Sequence, residues 1–174
     1  FYLNISHHGI GQIDSYHIFK TIGKVKIIFY LHDLIPIDYP EYVREGDEIT
    51  HQKRIQVMAT YAEAILVNSK YTKESFIENC NNNGYRIPEI KILYIGVEQS
   101  FLKLAEESQS YEIESLKNQN YFIYVSTIEP RKNHLLLLNL WRQHLSKYDK
   151  APKLVLLGKR GWKNEAVFDL LDRC

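Results

Sequence analysis

Cysteine is scarce in this sequence of 174 residues: only Cys80 and Cys174 occur, too far apart and too few to suggest a disulfide framework or a zinc site. Charge of either sign is not in excess. The 22 Lys+Arg offset 21 Asp+Glu, leaving a formal net charge of +1, so no large basic field grips a phosphate backbone and nucleic acid is not an expected partner. No apolar run approaches the roughly 20 residues that span a bilayer, and no charged-then-apolar leader opens the chain. Internal repeats and long low-complexity tracts are also missing. The scarcity of cysteine fits a reducing cytoplasm best.

What is present is an apolar fraction of 45%, enough for an ordinary globular core. Runs rich in β-branched and aromatic residues alternate with helical patterns, the sequence form of βαβ units around buried parallel sheet. The candidate strands are Phe1 to Ser6, Lys24 to His32, Ala64 to Asn68, Ile90 to Tyr94, Tyr121 to Ser126 and Lys153 to Gly158. Between them lie candidate helices Asp14 to Ile22, Gly46 to Ala62, Lys70 to Asn81, Asn133 to Tyr148 and Lys163 to Leu171. Asp14 and Ser69 are expected N-caps, and Gly23 and Gly84 follow helix ends where a left-handed residue is needed. The pattern weakens between Ser100 and Asn120. The expected organisation is therefore a first domain over 1–99, a linker over 100–118 and a second domain from 119 to 174. Because the sequence opens on Phe1 within a strand and closes within a helical pattern, the native chain is expected to continue past both ends.

Four clusters carry possible chemistry. His32 and Asp33 follow a strand directly, the place where open α/β sheets bind ligands, and Pro36 and Pro40 would stiffen the segment behind them. His32 can donate to a sugar hydroxyl or phosphate, with Asp33 orienting its ring; the alternative is that the pair only caps the strand exit. A second strand exit carries Glu129-Pro130-Arg131-Lys132-Asn133. Arg131 and Lys132 at a helix start offer both fixed charge and free N–H groups to a pyrophosphate, whereas a solvated pairing with Glu129 is the plainer alternative. The third cluster, Gly158-Lys159-Arg160-Gly161-Trp162, puts two more cations at the next strand exit. Near the start, His7 and His8 with two glycines could line an acceptor pocket, although as strand neighbours they would face opposite ways. His51, Lys53 and Arg54 are expected on the solvated side of their helix.

Taken in order, His32-Asp33-Leu34-Ile35-Pro36 with Tyr39-Pro40, Asn68-Ser69-Lys70-Tyr71-Thr72, Ile95-Gly96-Val97, Glu129 to Asn133 and Gly158 to Trp162 resemble the bacterial family 4 retaining glycosyltransferases. Among these, the mannosyltransferase-like enzymes of surface polysaccharide assembly, lipopolysaccharide included, are most similar. The resemblance covers nearly the whole chain. It implies a GT-B architecture of two Rossmann-like domains, of which this chain carries most of the N-terminal domain and the start of the C-terminal one. It implies a nucleoside diphosphate sugar as donor substrate, a saccharide or lipid-linked acceptor, no metal, and work at the inner face of the membrane through peripheral association. Carried over residue by residue, Arg131 and Lys132 contact the donor diphosphate, Lys159 and Arg160 lie on the same side, and His32 with Asp33 stands near the reacting sugar. His7, His8, Asn68 and Ser69 fall on the acceptor side.

Two departures qualify the match. Ser126-Thr127 stands where many relatives have Gly-Arg, so Arg131 is left to replace one phosphate-binding arginine. The paired glutamates of the family would lie downstream of Cys174, and the chain by itself is expected to be inactive. A sugar-nucleotide epimerase of the same architecture and a non-catalytic binding fragment are the competing readings.

Overall fold

The computed structural model describes every residue except Gln12, Ile22, residues 103–115, Asp149 and Cys174. Most of the expected linker therefore lies outside the described residues. The chain divides into two compact units, Phe1–Glu98 and Gln99–Cys174, both α/β with parallel sheet.

The first unit is built on four parallel strands in the order β1 (Tyr2–Asn4), β2 (Ile27–Leu31), β3 (Ala64–Val67) and β4 (Glu89–Ile92). Neighbouring strands register Leu3 with Ile28, Phe29 with Ile65 and Leu66 with Lys91. Their connections are the helices α1 (Ile13–Thr21), α2 (Ile35–Asp38), α3 (Asp47–Tyr61) and α4 (Lys70–Asn83). β2 and β3 lie inside the sheet, and Phe29 and Leu31 of β2 join Ile65 and Val67 of β3 in the core. Ile55 and Met58 of α3 and Phe76 and Cys80 of α4 close over it. Burial of such side chains contributes about 1.5–3 kcal/mol each.

The ends of these elements have local causes. β1 stops short of the expected Ser6 because the Asn4 Oδ1 accepts the Ser6 N–H at 2.9 Å, turning the chain. β2 is shorter than the expected Lys24 to His32. Lys24, and not Gly23, takes the left-handed conformation after α1 (φ 47°), and Val25 N–H donates back to Phe19 O at 3.1 Å. Asp14 lies in the first turn of α1 and is not its cap. Ser69 does cap α4, its Oγ accepting the Thr72 N–H at 3.1 Å, and Gly84 closes that helix at φ 66°. α4 runs two residues past the expected end at Asn81, to Asn83. At the end of α3, Arg86 donates to the carbonyls of Ala59 and Ala62, a cation satisfying open helix-end carbonyls that no local pattern announced.

Cys80 is fully buried, and burial pushes its thiol up to about 11 from an ordinary value of 9.0. That rise leaves about a hundredfold less thiolate at neutral pH. A thiol reagent should therefore label Cys80 on the order of a hundredfold more slowly in the native chain than in urea, read by peptide mass. Equal rates would show that the α4 face opens readily.

In the second unit, β5 (Tyr121–Val125) and β6 (Lys153–Leu157) pair in parallel, with Ile123 opposite Val155. They are followed by α5 (His134–Lys147) and α6 (Glu165–Arg173). A cavity of about 580 Å³ between α5, β6 and α6 is lined by apolar side chains including Leu138, Trp141, Leu154 and Leu170, with none of the basic loop residues. No helix among the described residues is long and apolar enough to cross a membrane.

Candidate functional site

In the first unit, chemistry gathers where β1, β2 and β3 end. β1 runs into a turn, so His7 and His8 do not alternate as strand neighbours. His7 folds inward, its ring 5.4 Å from that of His32 and 5.1 Å from that of His51, whereas His8 is exposed. His51 corrects the expectation drawn from its helix. It is only 1% exposed, because α3 turns this side chain under the β2 exit while Lys53 keeps outside.

Carbonyl oxygens only accept, which fixes two tautomers. His51 Nε2–H donates to Asp33 O at 3.0 Å, and His32 Nε2–H donates to Ile5 O at 3.1 Å. Neutral His32 thus keeps Nδ1 as an acceptor. The Asp33 carboxylate does not orient the His32 ring as expected; its Oδ1 accepts the Ile35 N–H at 3.1 Å and starts α2. Asn68 and Ser69 are likewise engaged locally. The Thr72 hydroxyl donates to Asn68 Oδ1 at 2.9 Å and lies 3.3 Å from His32 O, tying the start of α4 to the β2 exit.

Burial pushes His7 from an ordinary value of 6.5 down to about 4, and the neighbouring His51, His32 and Arg54 add repulsion. Burial also lowers His51, against the raising effect of its bond to Asp33. The folded protein therefore refuses protons that the unfolded chain accepts. The sign follows: this contribution to stability is full above the ordinary value of 6.5 and is lost as pH falls toward about 4. The urea midpoint should be lower at pH 5 than at pH 7.5. An equal or higher midpoint at pH 5 would place these imidazoles in water.

In the second unit the two basic loops are joined. Parallel pairing continues past the strands, with Ser126 N–H donating to Leu157 O, Ile128 N–H to Lys159 O and Gly161 N–H to Ile128 O at 2.9–3.0 Å. The loops approach so closely that a Cβ on Gly158 would fall 1.7 Å from Ser126 O, and one on Gly161 2.8 Å from Ile128 O. Glycine at both places is a condition of the contact.

Helix α5 begins directly after Asn133, close to the expected start, so Arg131 and Lys132 lie ahead of it and not in its first turn. Pro130–Lys132 forms a separate 3₁₀ turn, and Asn133, left-handed at φ 51°, caps α5 by accepting the Leu136 N–H. Tyr124 holds the turn by donating to Lys132 O at 2.9 Å. Of the four cations, two are engaged. Arg131 pairs with Glu129, whose carboxylate is 1% exposed and thus not the solvated partner expected. Arg160 donates to Asp172 at 3.0 Å and lies over the Phe168 ring at 5.1 Å. Among the described residues, no ion pair engages Lys132 or Lys159. Behind the turn, His134 is buried beside Ser126, its Nε2 3.3 Å from the hydroxyl, and burial lowers its proton affinity. Sequence reading passed over His134, which looks like an ordinary helix residue. Among the described residues no cluster of His, Cys, Asp and Glu could hold a metal ion.

The chain thus belongs to the broad class of parallel α/β proteins with polar and basic residues collected at strand exits. Comparison with known proteins narrows this. The chain is 26% identical over 144 residues to the O-antigen chain mannosyltransferase B of Escherichia coli, across 82% of its own length and 37% of that protein's. It therefore spans little more than a third of the relative. No protein-family model matches the chain, and no solved structure matches it.

Proposed function

We propose that this chain is part of a glycosyltransferase that moves a hexose, mannose in the first instance, from a nucleoside diphosphate sugar to a saccharide or lipid-linked acceptor in surface polysaccharide synthesis. The finer reading is a retaining enzyme of family 4 and GT-B type, acting at the cytoplasmic face of the membrane without a metal. The similarity to the mannosyltransferase of Escherichia coli supports the transfer reaction. The observation that carries the donor site is electrostatic. Arg131 and Lys132 stand in the turn just before α5, whose N-terminal end offers positive potential to an anion, and the loop carrying Lys159 pairs with the same segment through the Ile128 N–H.

A leaving diphosphate is such an anion. Negative charge grows on it as the glycosidic bond breaks, and fixed cations stabilise that charge without reorganisation. Lys132 and Lys159 are left to do so, since Arg131 is tethered to Glu129 and Arg160 to Asp172, and of these two Lys132 lies in the turn that leads into α5. On the first unit, His32 hydrogen-bonds a sugar hydroxyl and does not act as nucleophile. The complete enzyme, incubated with a lipid-linked saccharide and a panel of nucleoside diphosphate hexoses, is expected to transfer one hexose and release the diphosphate. Absence of transfer from every donor, or turnover of the donor sugar without an acceptor, would refute the reading.

A further inference from the structure

Beside the His32 exit stands a group of aromatic side chains that the fold does not bury. Tyr39, Tyr42 and Tyr71 are 43%, 40% and 58% exposed, whereas Tyr16, Phe29 and Phe76 of the same unit lie in the core. Tyr39 and Tyr42 belong to the turns after β2, their rings 6.3 Å apart and inclined by 31°. Tyr71 comes from the first turn of α4, and its hydroxyl meets that of Tyr39 at 3.4 Å. The contact joins two segments 32 residues apart. Asp38 completes the group, its Oδ2 accepting the Ser75 hydroxyl at 2.7 Å. Because Thr72, next to Tyr71, contacts His32 O, the tyrosines and His32 share one end of the sheet.

We propose that Tyr39, Tyr42 and Tyr71 with Asp38 form a subsite for a neutral saccharide, the non-reacting sugars of the acceptor. The inference rests on the transferase reading above and gives its acceptor a place. Rigid tyrosines offer broad apolar faces at low entropic cost and hydroxyls at the rim. A pyranose presents the complement, a face of C–H groups edged by hydroxyls. Charge decides against a lipid surface. The hydrogen bond with Tyr39 does most to hold the Tyr71 proton, and the nearby carboxylates of Asp38 and Glu78 add to it; those carboxylates would repel anionic headgroups. A carboxylate is a good acceptor for sugar hydroxyls.

Kinetics of the complete enzyme with a saccharide acceptor test the assignment. Tyr71→Ala and Tyr39→Ala are each expected to raise the acceptor KM about tenfold, with donor KM and kcat within about twofold. Tyr71→Phe keeps the ring and should stay within about threefold of wild type. Both positions are exposed, so circular dichroism and the urea midpoint should match wild type. Unchanged acceptor KM in both alanine variants would overturn the subsite while leaving the transferase reading intact, whereas a wild-type enzyme without transfer would remove the reading beneath it. Saturable binding to phosphatidylglycerol vesicles that both alanine variants lose would overturn the subsite in favour of a lipid contact.

Discussion

Gly158→Ala is expected to destabilise the second unit by more than about 3 kcal/mol, a large part of the 5–15 kcal/mol that holds a typical domain. The added methyl would sit 1.7 Å from the Ser126 carbonyl oxygen, and that neighbour is backbone. It cannot rotate away as a side chain would. Relief requires β5 and β6 to separate at their exits, which sacrifices the bonds from Ser126 to Leu157 O and from Ile128 to Lys159 O. Circular dichroism and urea denaturation would read the loss. Gly96→Ala is a suitable control, since an added Cβ there meets nothing within 4 Å. A Gly158→Ala protein as stable as wild type would mean that the two basic loops are not in contact.

Lys132→Ala in the complete enzyme should lower kcat or raise donor KM by at least about tenfold, the effect of removing a charged hydrogen bond. Its backbone is held independently of its side chain, by Tyr124 at the carbonyl and by the N–H bond to Glu129 O at 3.1 Å. Truncation should leave the turn in place. Arg160→Ala is expected to have a smaller effect on donor kinetics, because that guanidinium already serves Asp172. Steady-state kinetics at fixed ionic strength make the comparison. Wild-type parameters for Lys132→Ala would remove this lysine from the donor site.

Much of the fold was legible because its signals are local. Buried strands such as Ile27–Leu31 announce themselves by continuous apolar runs, and Ser69 and Gly84 bracket α4 by the chemistry of helix ends. Boundaries were less legible. Lys24 takes a left-handed conformation that residue preference assigns to Gly23, since the return bond from Val25 to Phe19 decides the geometry.

The site divides in the same way. That cations collect at two successive strand exits follows from the sequence, because the motifs lie directly after apolar strands. Which cations remain available does not. Arg160 meets Asp172 across twelve residues, and Glu129 is buried only because the turn folds it beneath Arg131. His51 was read as a solvated residue among Lys53 and Arg54, yet packing against the β2 exit placed it beside His7.

The sequence by itself determined the parallel α/β pattern and the positions of the loops, because hydrophobic period and turn chemistry act over a few residues. Only the tertiary structure decided which side chains share a neighbourhood: the imidazoles of His7, His32 and His51, the hydroxyls of Tyr39 and Tyr71, and the glycine contact that joins the basic loops. Burial, proton affinity and ion pairing depend on what lies within a few ångströms in space, and that distance is set by the packing of segments far apart along the chain.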